Sequence, residues 1–260
     1  MTHFGSSVSI YGDLPEPLTM SDFSNRDSIL SKAEQVYKTS PNLVARLDST
    51  EGPIVIKWFG WRHSVHYYLS PTFPSRAYAS WSVAHALKRA GARTPEPLYV
   101  YTRRHMGFIK ENFSVTEAIY PHTRLRPLLL SNASETLFST AIEDLARSLA
   151  KMHRRGILHR DLTTANFLVN DAGKVFIIDL NRARQLSELS THHRLTDLAK
   201  LTFKTAETNL TEELTRLFFD TYTAESKTLP NLIRPYRNYR ERLLRRRRLK
   251  KKLRQLSHSK

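Results

Sequence analysis

The run Ile157-Leu158-His159-Arg160-Asp161-Leu162-Thr163-Thr164-Ala165-Asn166-Phe167-Leu168-Val169, resumed at Val175-Phe176-Ile177-Ile178-Asp179, decides the fold. Asp161, Asn166 and Asp179 stand in it at the spacing that phosphoryl transfer uses. That reaction asks a protein for positioning and charge neutralisation and for little covalent chemistry. One carboxylate must orient the acceptor hydroxyl, while an Asn and a second Asp hold magnesium. Asn166 follows Asp161 at the interval of the H-R-D-x-x-x-x-N pattern, and Asp179 ends an apolar, strand-like run. Between the β-rich runs lies the turn signal Asn170-Asp171-Ala172-Gly173. A hairpin is therefore expected, bringing Asn166 and Asp179 into one metal site.

Working outward, 260 residues of ordinary apolar content are enough for a substantial core in two lobes. There is no cysteine, so disulfide and thiolate chemistry are excluded, which suits a reducing cytoplasm. Met1 to Ser7 lacks the basic-then-apolar order of a secretory signal, and no apolar run approaches bilayer-spanning length. The expected location is cytoplasmic, with any membrane contact peripheral, on the inner face of the cytoplasmic membrane. The formal charge of +17 is concentrated at one end: Arg234 to Lys260 holds 13 Lys or Arg against the single acid Glu241. Such a block is drawn to polyanions in a salt-sensitive way.

Residues 1–25 show no sustained period and read as an irregular lead-in. Strands are expected at Ala33 to Thr39, Leu43 to Leu47 and Pro53 to Phe59, then a helix from Ser75 to Ala90 stopped by Gly91. Three further strands follow, Leu98 to Thr102, Met106 to Lys110 and Phe113 to Ile119. Asn132 and Glu135 resemble a capping box ahead of a helix with Leu137, Phe138, Ala141, Ile142, Leu145, Leu149 and Met152 on its apolar face. Two more helices are expected at Leu195 to Thr205 and Glu212 to Tyr222. The third strand, Ile54-Val55-Ile56-Lys57-Trp58, carries one lysine in an apolar run, the place from which a small-lobe lysine reaches nucleotide phosphates. Glu117-Ala118-Ile119-Tyr120-Pro121 would be the hinge, where backbone groups of Glu117 and Ile119 receive adenine.

The chain resembles the bacterial lipopolysaccharide kinases, the heptose and Kdo kinases of the protein-kinase-like superfamily, over about Lys32 to Leu201. The resemblance rests on Ile54-Val55-Ile56-Lys57, on Ser75-Arg76-Ala77 through Ser80-Trp81 into Leu87 to Pro97, on Gly156-Ile157-Leu158-His159-Arg160-Asp161, and on Ile178-Asp179-Leu180-Asn181-Arg182-Ala183-Arg184. It implies an α+β fold in two lobes, antiparallel and β-rich over 26–119 and mainly helical over 120–234, followed by a basic tail at 235–260. It also implies ATP and Mg2+ as cofactors and a sugar hydroxyl of the lipopolysaccharide inner core, or of a related glycolipid, as acceptor. Residue by residue, Lys57 would hold nucleotide phosphate, Asp161 would orient the hydroxyl or take its proton, and Asn166 and Asp179 would bind magnesium. Arg160 would support the loop. Arg182 and Arg184 would either receive an anionic sugar or form a solvated basic turn.

Departures from the protein-kinase pattern favour a non-protein acceptor. No glycine occurs between Gly12 and Gly52, so Thr39-Ser40-Pro41-Asn42 stands where a phosphate-covering loop would be. Thr163 replaces the usual catalytic-loop lysine, Asp179-Leu180-Asn181 replaces Asp-Phe-Gly, and the helix from Ser75 to Gly91 holds no acid to pair with Lys57. Asp179 or a phosphate would have to do so. The alternatives are an atypical protein kinase and a catalytically silent nucleotide-binding scaffold. In the tail, Tyr236, Tyr239 and Leu243 lie on a different helical stripe from Leu249, Leu253 and Leu256. Its first half should pack on the helical lobe and Arg245 to Lys252 should face an anionic membrane surface. No nucleic-acid partner is expected, because the cluster lacks interleaved aromatics. His153, His159, His192 and His193 lack metal-site spacing and read as loop and core residues. The sequence leaves the oligomeric state open.

Overall fold

The computed structural model describes residues 5–61, 64–227 and 232–258, with side chains at 64, 66, 247 and 250–258 left aside. The chain divides into two compact units. One contains Met1–Arg89, Thr94–Tyr120 and Ile178–Ala183; the other contains Ala90–Arg93, Pro121–Ile177 and Arg184–Lys260.

The first unit is built on one antiparallel sheet of six strands, β1 (Ser6–Gly12), β2 (Gln35–Lys38), β3 (Leu43–Leu47), β4 (Ile54–Trp58), β5 (Pro97–His105) and β6 (Phe108–Glu117). Their order is β1-β5-β6-β4-β3-β2. Strict alternation in β3 and β4 places Leu43, Ala45, Leu47, Ile54, Ile56 and Trp58 on the buried face. Phe113 of β6 is fully buried and its ring lies 5.3 Å from Trp58, 5.1 Å from Tyr101 and 5.3 Å from Phe23. Lys57, out of phase with this set, emerges on the other face. Helix α1 (Arg26–Lys32) covers part of the core through Ile29, α2 (Ser64–Tyr68) is a short connector, and α3 (Arg76–Arg89) packs on β5, β6 and a 3-10 turn at Leu180–Arg182.

Two expectations for this unit need correction. The irregular lead-in expected over residues 1–25 contains an edge strand, Ser6–Gly12, paired with β5 from Ser6↔His105 to Gly12↔Tyr99. Every residue of that strand is exposed, so no burial pattern announced it. The three strands expected between Leu98 and Ile119 are two, joined by the two-residue turn Met106-Gly107. Met106, read as the start of a strand, is the turn itself.

The second unit is helical around a small sheet. Strands β7 (Thr123–Arg124), β9 (Phe167–Val169) and β10 (Val175–Ile177) form the order β10-β9-β7, and β8 (Ile157–Leu158) pairs with β11 (Arg184–Gln185). The expected hairpin is present, with Phe167 opposite Ile177. Its turn closes because Gly173 takes a φ of 72° and Asn170 Oδ1 accepts the Lys174 N–H at 2.9 Å. Helix α4 (Leu125–Leu129) precedes the long α5 (Glu135–Arg154). The N-cap of α5 is Ser134, whose hydroxyl accepts the Leu137 N–H, and not Asn132. Asp144, buried on α5, accepts from Arg93 at 2.7 and 2.9 Å and from the Val175 N–H at 2.8 Å, locking β10 to the helix. Helices α6 (Thr191–Leu198), α7 (Thr208–Ser226) and α8 (Ile233–His258) complete the unit. The start of α8 packs as expected: Tyr236 is buried 4.7 Å from Phe219 and its hydroxyl donates to Leu201 O at 2.7 Å. Arg245, Arg246 and Arg248 are exposed, and the remaining side chains of the basic run from 247 and 250 on lie outside the described residues.

Phe113 anchors the first unit's core. Phe113→Ala should cost about 3–5 kcal/mol of stability, read as a lowered urea midpoint with an unchanged slope.

Candidate active site

In the second unit, β8 delivers the chain into a loop that one buried carboxylate holds. Asp197 of α6 is only 3% exposed, and it accepts the His159 N–H at 2.8 Å and the Arg160 N–H at 2.7 Å. Arg160 adopts a φ of 65°, a left-handed conformation that a non-glycine residue holds only when its surroundings impose it. The two N–H bonds to Asp197 are that imposition. His153 on α5 backs the carboxylate, with Nε2 3.4 Å from Asp197 Oδ2 and Nδ1 2.7 Å from the Tyr222 hydroxyl. Burial would raise the Asp197 carboxyl, but hydrogen bonds from His153 and from the His159 N–H hold it below the ordinary carboxylate value. Burial drives His153 below the ordinary imidazole value, opposed by Asp197, and pushes the Tyr222 hydroxyl up to about 12.

Asp161 is half-buried just beyond this anchor, and its N–H donates to His159 Nδ1 at 3.3 Å. Asn166 Nδ2 donates to Asp161 O at 2.9 Å, so the amide plane is set and Oδ1 is its remaining ligating atom. Lys200, just past α6, donates to Arg160 O and places Nζ 3.9 Å from Asp161 Oδ1. The Arg160 side chain is exposed. The structure thus brings Asp161, Asn166 and the Arg160 backbone together.

In the first unit, Lys57 Nζ donates to Asp179 Oδ1 at 2.6 Å. The acid missing from α3 is therefore supplied by Asp179, as one of the two expected possibilities. Asp179 takes a φ of 64°, the second left-handed non-glycine residue in the catalytic segments. Helix α3 contributes a cation in place of an acid. Arg76 donates to Gly60 O, and its guanidinium carbon stands 5.2 Å from the ring centres of both Phe59 and Trp61. Burial, and then Arg182, pull its pKa down, while Asp179 opposes them. The loop Thr39-Ser40-Pro41-Asn42 is tied to Gly60, whose N–H donates to Asn42 Oδ1 at 3.2 Å. In the hinge segment Glu117 is exposed and Ile119 half-buried. The Glu117 N–H donates to Glu96 O at 2.9 Å, so a contribution of Glu117 to a base would run through its oxygens.

Among the described residues no group of three or more His, Cys, Asp or Glu is placed to hold a metal. The donors that do stand in the catalytic segments, the Asn166 amide oxygen and the Asp179 carboxylate, are hard oxygens of the type magnesium takes, sharing its coordination with water and phosphate. They fit that ion. His153 and His159 are fully buried core residues, as expected.

Two contributors escaped the sequence reading. Asp197 sits between Leu195 and Leu198 on an apolar helical stripe, and an acid there signals a buried, paired carboxylate. Lys200 carried no signal, since its neighbourhood to Asp161 is created by tertiary structure alone.

An antiparallel β-rich unit with a strand lysine, and a helical unit with an Asp-centred loop and a β-hairpin, define an α+β fold of the protein-kinase-like class in two lobes. The model of the lipopolysaccharide kinase (Kdo/WaaP) family matches residues 59–222, more than half the chain, and the chain belongs to that family. It is 26% identical to the 3-deoxy-D-manno-octulosonic acid kinase of Vibrio vulnificus over 117 residues, 45% of this chain and 48% of that one. It is 27% identical to the lipopolysaccharide core heptose(I) kinase WaaP of Pseudomonas aeruginosa over 157 residues, 56% of this chain and 59% of that one. A DNA damage-responsive serine/threonine-protein kinase of Deinococcus radiodurans is 40% identical over 72 residues, 28% of this chain and 11% of that one. The chain spans about half the length of the two sugar kinases it matches.

The linkage of the buried pair has a definite sign. His153 favours its neutral form in the fold, so its contribution is lost as pH falls below about 6.5, and that of Asp197 follows as pH falls through its depressed value. The urea midpoint should therefore fall from pH 7 to pH 5, with a shallower slope in His153→Gln. Asp197→Ala, which strips two buried N–H groups of their acceptor, should cost at least about 3 kcal/mol.

Proposed function

We propose that the chain is an ATP- and Mg2+-dependent phosphotransferase that moves the γ-phosphate to a sugar hydroxyl of a lipopolysaccharide inner core, Kdo or heptose, or of a related glycolipid. The observation that carries this reading is the loop at Asp161: its backbone is fixed by Asp197 and its carboxylate is neighboured by Lys200. A carboxylate held in that way can orient an acceptor hydroxyl and take its proton as the oxygen attacks phosphorus. The Kdo and heptose kinase relatives support the choice of a sugar.

In this reading Asp161 is the base, and Arg160 serves through its backbone conformation. Lys200 stands in for the lysine that Thr163 replaces, limiting the motion of Asp161 and countering charge beside it. Lys57 binds the nucleotide phosphates, exchanging Asp179 for phosphate oxygen. The hinge segment at Glu117 and Ile119 receives the adenine through the main chain. Asn166 and Asp179 hold magnesium, which neutralises charge on the phosphates when bound. The basic face of α8 draws the protein to anionic lipid at the cytoplasmic side of the membrane, in a salt-dependent way.

Phosphate transfer from labelled ATP to lipid A–Kdo core acceptors, with a generic protein acceptor beside them, tests the proposal. Asp161→Ala should lower transfer roughly 10²–10⁴-fold with nucleotide affinity nearly unchanged. Asp179→Ala should weaken nucleotide binding only in the presence of magnesium. Lys200→Met should lower kcat more than it changes KM. Label appearing only in protein would favour the protein-kinase reading, to which the Deinococcus radiodurans match points. Nucleotide binding without transfer to any of these acceptors would leave the scaffold.

A further inference from the structure

The first unit displays a cluster of large apolar side chains unused by any step above. Val65 and Tyr68 of α2, Leu69, Phe73 and Met106 are 62%, 67%, 49%, 57% and 73% exposed. Single exposed apolar residues are ordinary, whereas a contiguous group of this size marks an interaction site. Contiguity is secured by the backbone. Arg104 donates to Ser70 O at 3.0 Å, to Gly107 O at 2.8 Å and to Phe73 O at 2.8 Å, binding the tip of the β5–β6 hairpin to the 70–73 segment. Tyr67 of α2 stacks on Phe108 at 5.4 Å, and Lys110 donates to its hydroxyl at 2.5 Å.

The hairpin tip carries a second observation. Met106 and Gly107 form a two-residue turn with φ of 49° and 83°, a geometry that favours Asn-Gly and disfavours a large side chain at the first position. A methionine there opposes the turn's own chemistry and is 73% exposed, so its apolar side chain is offered at the hairpin tip.

Charge selects the partner. From Arg103 to Glu111 the β5–β6 hairpin that bears Met106 carries Arg103, Arg104 and Lys110 against one acid, Glu111, which pairs with Arg103, so the rim of the cluster is net basic. Aromatic and aliphatic tips beside a net-basic hairpin match the interfacial layer of an anionic bilayer, where tyrosine and phenylalanine enter the headgroup boundary and Lys and Arg meet phosphate. An acidic protein groove would meet the cations but not require the apolar tips to be spread over a helix and a hairpin turn.

We infer that α2, the 69–73 segment and the Met106 turn form a membrane-insertion patch that docks the first unit on anionic lipid, in addition to the electrostatic pull of α8. This extends the reading that the acceptor is membrane-bound, and its test needs no acceptor. The full chain is floated with vesicles of phosphatidylglycerol and phosphatidylethanolamine free of glycolipid, at low and high salt. Phe73→Asp combined with Met106→Asp should reduce partitioning at least about tenfold at both salt concentrations. Leu69→Asp should reduce it in the same direction. Arg245→Gln with Arg246→Gln and Arg248→Gln should reduce it mainly at low salt. Asp is well tolerated at the positive φ of position 106, so the fold should survive, which a circular dichroism melt checks. Wild-type levels of binding by the double variant, or no vesicle binding by the wild type, would overturn the inference. Transfer to a deacylated, water-soluble core acceptor should be equal in wild type and double variant; failure of transfer in both would count against the proposed function while leaving the flotation result to decide the patch.

Discussion

The bonds from Asp197 to two consecutive backbone N–H groups are the constraint on which the catalytic loop depends. A carboxylate buried this deeply is tolerated only when it is fully satisfied, and His159, Arg160 and His153 satisfy it together. In return it fixes Arg160 in a left-handed conformation that the residue would not otherwise keep. Asp161 is the next residue, so its direction is inherited from a helix more than thirty positions further along the chain. The interaction joins α5, α6 and α7 as well, through His153 and Tyr222. Loop geometry and core packing in the second unit are one cooperative arrangement.

The first unit reaches its site by a different route, the alternation of a half-buried sheet. Burying Ile54, Ile56 and Trp58 around Phe113 forces Lys57 to the opposite face. There it meets Asp179, which reaches this unit through the short segment Ile178–Ala183. That pairing answers the absence of an acid on α3. The helix instead presents Arg76, so the surroundings of Asp179 are richer in positive charge than an acid-bearing helix would make them.

The surface repeats that bias on a larger scale. A basic α8 and the net-basic β5–β6 hairpin give the protein two cationic regions of different character. One presents the exposed Arg245, Arg246 and Arg248, whose attraction to anions fades with salt. The other flanks the apolar tips, whose proposed contribution to lipid binding would not. For the proposed acceptor on a lipid, the first would raise the encounter rate and the second would set residence at the surface.

The sequence by itself determined the class. The spacing of His159, Arg160, Asp161, Asn166 and Asp179, the β-rich runs around Asn170 to Gly173, and Lys57 in an apolar strand are local patterns, and local patterns survive in one dimension. It also determined that an unusual partner must answer Lys57. Tertiary structure decided what depends on long-range proximity: that Asp179 is the partner, that Asp197 holds the loop, and that Lys200 reaches Asp161. It decided too that Ser6–Gly12 is a strand, because an edge with no buried face leaves no hydrophobic period and is defined only by its pairing with β5. The Met106 turn was misread for the opposite reason: an apolar residue suggested a strand, while the register of β5 and β6 imposed a reversal. Chemistry carried by neighbours in sequence was legible, and chemistry carried by neighbours in space was not.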